Sequence, residues 1–427
     1  MIVMRTAFYG WRVVGAAVIV AIFAWGVGFY GPPIFLQALH AGYGWPVSQI
    51  SAAITAHFLL GAAIVANLGT LHRRFGVVAV TRAGAIFAAL GLLGWGLARQ
   101  PWQLFLATPL SGAGWAMTSG AALNAMVAPW FIRRRAAALG MAFNGASMGG
   151  VVFSPLWVAL IARFGFPVAA MLVAAAIAAA IWFLAGRYLA TDPAAMGLAP
   201  DGDLPADPPS AAPQRGSAGS QPLGNPCRDR RFVTLAASAT LGLFAQVGLV
   251  DHLFSLLAPG LGDAGAGATM AAATACAILG RILLARLVPA NTDRRMVAAA
   301  NVAMQALGSV ALLCAGPSVP LILLGCALFG LGLGNVTSLP PLIAQAEFAP
   351  ADLARVVALV TAISQAGYAF APAAFGLLRG LGFGVAPSSS VLFTAAALIQ
   401  FTAAAVVLRG RERVPRERDS LAERLAD

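Results

Sequence analysis

Stretches of about 20 apolar residues, each long enough to cross a bilayer, recur along almost all of this 427-residue chain. Spans are read near 12–37, 48–70, 77–98, 102–129, 136–161, 166–190, 232–258, 266–288, 296–315, 320–345, 354–378 and 386–408. No water in hydrocarbon can satisfy the backbone, so spans of this length must be helices. The composition agrees: 60% of residues are hydrophobic and 10% are charged, against about 25% charged in a soluble domain. The reading is an all-α membrane protein of twelve transmembrane helices in contact with the lipid bilayer. The first apolar run continues past Pro32 without a small-residue cleavage pattern and reads as a retained helix.

Charge placement sets the orientation. The chain has no lysine, so its 27 cations are all arginines. With the amino terminus inside, Arg99, Arg163 and Arg379 fall outside, Arg281 lies within a span, and the remaining 23 fall on the cytoplasmic side. That is the positive-inside pattern. It puts both termini in the cytoplasm of a multi-pass inner-membrane protein, expected in a bacterium. It also accounts for the +12 net charge without nucleic acid. Residues 191–231, rich in Pro, Gly, Ser and Asp, read as a flexible cytoplasmic linker. The domains are therefore 1–190, that linker, 232–409 and a charged tail, 410–427. Cys227, Cys276, Cys314 and Cys326 show no metal spacing and read as small core residues; no cofactor or metal is expected.

The chain repeats itself. A shift of 217 places Phe131, Gly150, Phe153 and Pro155 on Phe348, Gly367, Phe370 and Pro372, and Gly165-Phe166 on Gly382-Phe383. A shift of 218 places Gly112 and Gly114 on Gly330 and Gly332, and one of 219 places Leu60-Gly61 on Leu279-Gly280. Two pseudo-symmetric six-helix bundles sharing one orientation, with a site near the midplane between them, is a transporter architecture.

Further motifs carry a resemblance: Gly10-Trp11 opening span one, GWPVSQISAA at 44–53, PWFIRRRAAALG at 129–140 and GRIL at 280–283. On these the chain resembles the major facilitator superfamily over nearly its whole length. Within it, the chain looks like the bacterial monocarboxylate-porter and oxalate–formate-exchanger-like branch. Two positions depart from that pattern. The loop after span two carries Arg73 and Arg74 where the family has an acid, and Ala277 stands where porters have an aspartate four residues before the span-eight arginine. The resemblance implies transport by alternating access and carries a carboxylate-binding role onto Arg281.

The residues themselves support a site at Arg281. It lies roughly 12 Å from the cytoplasmic edge, counted at 1.5 Å per residue from Pro289. A charge there costs about 2.5–3.5 kcal/mol on insertion scales, so it must face a cavity or a partner. Its fork suits a carboxylate; a structural arginine bonded to neighbouring carbonyls is the other reading. Tyr30, Asn144, Gln246, Asn335 and Gln365 are the span polar groups expected to line the same cavity. Asp251 and His252 form an adjacent ionisable pair roughly 26 Å up from Thr234, close to the outer rim, with an outer-gate or proton-entry role or none. His57 sits mid-span, either as a proton carrier or as hydrogen-bonded packing. Residues 145–150, GASMGG, have small-residue spacing for helix contact and lack the Gly-Pro variant of drug antiporters.

A cytoplasmic gate is expected where Arg73 and Arg74 face Glu347 and Asp352, and where Arg133 with its neighbours faces Asp293. The reading is a monomeric secondary transporter of a small monocarboxylate-like organic anion, with proton symport favoured over exchange. Efflux of a hydrophobic or drug-like compound is the alternative. No span holds a paired-carboxylate, metal or nucleophile constellation, so an enzyme is not expected. Nor does a pore-loop signature or an attached domain suggest a channel or a sensor.

Overall fold

The computed structural model describes residues 8–202, 225–226, 228–289, 292–380 and 388–411. Cys227, Gly382-Phe383, most of the proposed linker and nearly all of the charged tail lie outside the described residues. Among the described residues every long element is an α-helix: α1 (Gly10–Gly28), α2 (Gly31–Tyr43), α3 (Val47–Leu97), α4 (Pro101–Thr118), α5 (Gly120–Val127), α6 (Arg135–Tyr188), α7 (Arg230–Leu287), α8 (Arg294–Cys314), α9 (Val319–Leu333), α10 (Leu339–Glu347), α11 (Pro350–Tyr368), α12 (Ala371–Gly380) and α13 (Ser388–Arg409). Seven continuous helical stretches are apolar and long enough to cross a membrane.

Three of those helices are too long for one crossing. At 1.5 Å per residue, the 51, 54 and 58 residues of α3, α6 and α7 would each extend about 75–90 Å. Each instead reverses at one glycine, Gly76, Gly165 and Gly262, with φ of 79°, 77° and 69° and ψ near 160°. That backbone region is essentially closed to residues with a Cβ. The reversal of α3 is visible in its packing: Gly61 before the turn and Gly84 and Gly91 after it all lie against α4. Four pairs, α1–α2, α4–α5, α9–α10 and α11–α12, are single crossings broken midway. Prolines explain three of the breaks: Pro32-Pro33, Pro340-Pro341 and Pro372 lack the N–H that would continue the ladder. Counted this way the helices are consistent with the expected twelve crossings.

The repeat seen in the sequence is a packing repeat. Gly61 of α3 lies on the Gly112 carbonyl of α4, and Gly280 of α7 lies on the Leu331 carbonyl of α9. A Cβ at Gly280 would clash with the Leu331 carbonyl outright, and one at Gly61 would press on Trp115 and Gly112. The glycines of 145–150 pack as their spacing suggests, Gly145 and Gly149 against α1 and Gly150 against Thr274 of α7. The outer surface carries large apolar side chains, among them Leu90, Leu106, Phe183 and Leu398, a coat suited to lipid.

Hydrogen bonds and ring contacts that join the halves, among the described residues, are confined to the middle and to the face opposite the arginine-rich turns. The Ala373 amide donates to Thr55 Oγ1 at 2.9 Å, and the Phe58 and Tyr368 rings meet edge-on at 5.8 Å. The halves are closed away from the arginine-rich face.

Gly165→Ala forces a Cβ into the φ 77° turn and is expected to destabilise the protein by about 1–3 kcal/mol. The readout is a lower apparent Tm in detergent. Gly140→Ala, on a helix with open space at its Cβ, is expected to leave Tm unchanged or raise it.

Candidate functional site

The break between α9 and α10 leaves residues 334–338 as a turn in the middle of a crossing. Its freed carbonyls must find donors, because none comes from lipid. Arg281, on the returning arm of α7, donates from Nε to the Gly334 carbonyl at 3.0 Å. The same guanidinium donates from Nη1 to Asn144 Oδ1 of α6 at 3.1 Å. One half-buried cation thereby spans both halves. Tyr30, buried in the break between α1 and α2, lies within electrostatic reach of it.

Aromatic rings make the wall on the amino-terminal side. Trp25 and Trp115 meet edge-on at 5.0 Å, Trp25 meets Phe143 beside Asn144, and Phe29 stacks on Trp115. Phe58 joins this wall and touches Tyr368 across the interface. Arg281 and Asn144 of the expected set thus meet with Tyr30 in electrostatic reach, and the aromatic cluster adjoins them through Phe143, the neighbour of Asn144.

The other expected lining residues go elsewhere. Gln246 and Asn335 are buried in the carboxy-terminal half, where Gln305 Nε2 donates to Gln246 Oε1 and Asn335 Nδ2 donates to Asn301 Oδ1. Ser309 continues this polar stripe to Gln400 at 2.8 Å. Asn301, Gln305 and Ser309 recur every four residues on one face of α8, a signal that no single polar group in a span carries. Gln365 is half-buried on α11 and makes no hydrogen bond to Arg281 among the described residues.

His57 is buried inside the amino-terminal bundle, its Nδ1 2.9 Å from Ser111 Oγ. It lines a void of about 30 Å³ with Trp95, Ser111 and Trp115, room for a water or two and not for an organic substrate. Asp251 and His252 are not at the outer rim. Because α7 continues to Gly262 before reversing, Asp251 lies about 16 Å inside that end and is 1% exposed. Neither carboxyl oxygen has a hydrogen-bond partner among the described residues, and Tyr368 is its electrostatic neighbour. His252 Nε2 sits 3.1 Å from the Pro372 carbonyl at the α11–α12 break. Arg379 donates to Ser255 on the same arm of α7.

At the arginine-rich face Arg73, Arg74, Glu347 and Asp293 have partners within their own halves. Arg73 donates to Thr70, and Arg74 lies over the Phe75 ring. Glu347 receives Arg295 bidentately at 2.6 and 2.8 Å, and that guanidinium, 1% exposed, also reaches Thr234 and the Val407 and Arg231 carbonyls. Asp293 caps α8 and accepts Arg411 Nε at 2.6 Å. Partial burial works against ionising Asp293, but Arg411 and the Arg295 and Met296 amides outweigh it and hold the carboxyl below its usual range. Asp352 stands in the first turn of α11, where the helix dipole favours an acid. The Ile132, Arg133 and Arg134 amides donate to Asp201.

The model of the Major Facilitator Superfamily matches residues 13–372. Monocarboxylate transporter 13 of Bos taurus is 29% identical over 171 residues, 39% of each chain. The Fujikurins efflux protein of Gibberella fujikuroi is 34% identical over 111 residues, 26% of this chain and 23% of its own. The chain thus spans less than two fifths of the length of these relatives. Among solved structures, the nucleoside transporter NupG aligns with a TM-score of 0.70 at 12% identity, over 94% of this chain and all of its own. A bacterial homologue of the human lysosomal transporter Spinster, inward-facing and unoccupied, aligns at 0.66 and 15% identity over 96% of this chain and all of its own. At such identities the likeness is one of fold.

Glu347→Gln leaves the Arg295 cation buried without its counter-charge and is expected to cost about 3–5 kcal/mol, read as a large drop in Tm. Asp293→Asn, which loosens a pair 39% and 44% exposed, is expected to cost at most about 1 kcal/mol.

Proposed function

The chain belongs to the Major Facilitator Superfamily of membrane transporters, and on that premise we propose that it carries a small organic anion of the monocarboxylate kind. Transport is by alternating access and is coupled to a proton. The observation that carries this reading is Arg281: a cation held between the two halves, bonded to a neutral Asn144 oxygen that a carboxylate can replace. A charged acceptor binds a guanidinium roughly twice as strongly as a neutral one, so an incoming carboxylate displaces Asn144 and gains the fork. The aromatic wall opposite suits an anion with an apolar body. Because the site lies between two halves of one chain, a monomer suffices.

The matched stretches of the monocarboxylate transporters support this reading. The coupled proton is assigned to Asp251: a carboxylate buried without a partner costs several kcal/mol when ionised, and protonation removes that cost. The arginine-rich face is cytoplasmic on the positive-inside rule, so the present form is inward-facing in a bacterial inner membrane. A second reading, efflux of a hydrophobic compound, draws on the same aromatic wall and on the fungal efflux relative; Arg281 is then a structural tie.

Thermal shift with a panel of carboxylates separates the two readings. At least one carboxylate is expected to raise the Tm of the wild-type protein and to lose its effect in Arg281→Ala. Ligands indifferent to that substitution favour the efflux reading. In proteoliposomes, Asp251→Asn is expected to abolish accumulation driven by a pH gradient while sparing exchange. Equal gradient-driven accumulation by wild type and variant removes Asp251 from coupling.

A further inference from the structure

Two antiparallel seams run across the interface, and each keeps a constant register. In the first, Val158 meets Gly267, Gly150 meets Thr274 and Asn144 meets Arg281, so each step back along α6 is a step forward along α7. Nine further steps from Asn144 reach Arg135, where α6 begins, and six from Arg281 reach Leu287, where α7 ends; the Arg133–Arg135 loop and the turn at Asp293 stand beyond those ends. In the second, Ser51 meets Gly376, Thr55 meets Ala373 and Phe58 meets Tyr368. Fifteen further steps reach Arg73 and 353, beside Asp352. Continued to the arginine-rich face, both seams bring arginines onto acids.

Neither continuation is made in this form, and for the first seam the structure shows what holds its ends. The segment leaving each half folds back onto one of them. Leaving α6, Asp201 takes the amides of Ile132, Arg133 and Arg134 at 2.8–3.2 Å, the loop that opens the α6 arm of the seam. Leaving α13, Arg411 takes Asp293, which closes the α7 arm. Asp201 does this at φ 64°, the one non-glycine residue with positive φ among those described. A strained backbone persists where its surroundings hold it, here the three amide bonds.

We propose that Asp201 and Arg411 hold the arginine-rich mouth open, and that closing it is an exchange of partners: the Arg133–Arg135 loop leaves Asp201, Asp293 leaves Arg411, and the freed loop and acid pair across the halves. The exchange trades one opposite-sign pair for another and returns Asp201 and Arg411 to water at this exposed face. The Arg411–Asp293 pair is exposed, and exposed pairs bias an equilibrium by factors of a few, which suits contacts that break in every cycle. The proposal rests on alternating access alone and not on the identity of the cargo.

Its test is a distance measurement needing no substrate. Spin labels at Phe75→Cys and Leu287→Cys, exposed positions of opposite halves on this face, are placed in full-length protein whose four native cysteines are serine. Pulsed electron–electron resonance in nanodiscs then reports the short-distance, mouth-shut population. Asp201→Asn and Arg411→Gln are each expected to raise it about two- to fivefold. Asp293→Asn added to Asp201→Asn is expected to remove the gain, because the closing pair is lost. An unchanged distribution in both single variants overturns the proposal, as does a gain that survives Asp293→Asn. Failure here leaves the Arg281 reading intact, and an Arg281 site indifferent to carboxylates leaves this exchange intact.

Discussion

A guanidinium in the middle of a membrane protein cannot stay unpaired, and the way Arg281 is paired organises the interface. Its Nε takes the Gly334 carbonyl released by the break between α9 and α10, and its Nη1 takes Asn144 from the other half. Both acceptors are neutral, so the positive charge is solvated but not cancelled. On the proposed reading, a site built this way keeps affinity for an anion while the empty protein stays intact. The proline pair that starts α10 therefore has a chemical consequence several residues away.

The same economy of charge holds at the arginine-rich face. Arg295 and Glu347 are locked together in the carboxy-terminal bundle with every guanidinium nitrogen bonded, a fixed structural pair. Arg411 and Asp293, by contrast, are exposed and singly bonded. One pair stabilises a half; the other is weak enough to be exchanged as halves move. Distinguishing them required knowing burial, since in sequence both are an arginine and an acid near a helix end.

Fold and repeat were legible because hydrocarbon leaves the backbone so few options: apolar length gave the crossings, and glycines at fixed shifts gave the close helix contacts. The three long helices were read correctly as pairs because seams at Gly76 and Gly165 carry turn signals, though the length of α7 was underestimated. That error put Asp251 near a rim when it lies well inside. Of the residues expected to share a site, Arg281, Tyr30 and Asn144 are the ones the fold brings near one another. Gln246 and Asn335 were misplaced because a polar residue within a span does not say which face of its helix meets the other half. Asp201 was invisible, since an acid in a Pro- and Gly-rich stretch gives no sign of three amides waiting for it.

The central claim, that Arg281 receives the carboxylate of the cargo between the halves, is tested most directly by structure determination with a bound carboxylate. The account predicts density for the carboxylate within hydrogen-bond reach of both Arg281 Nη atoms, with Asn144 withdrawn from the guanidinium. A ligand seated against the aromatic wall with the Arg281–Asn144 bond unbroken would contradict it.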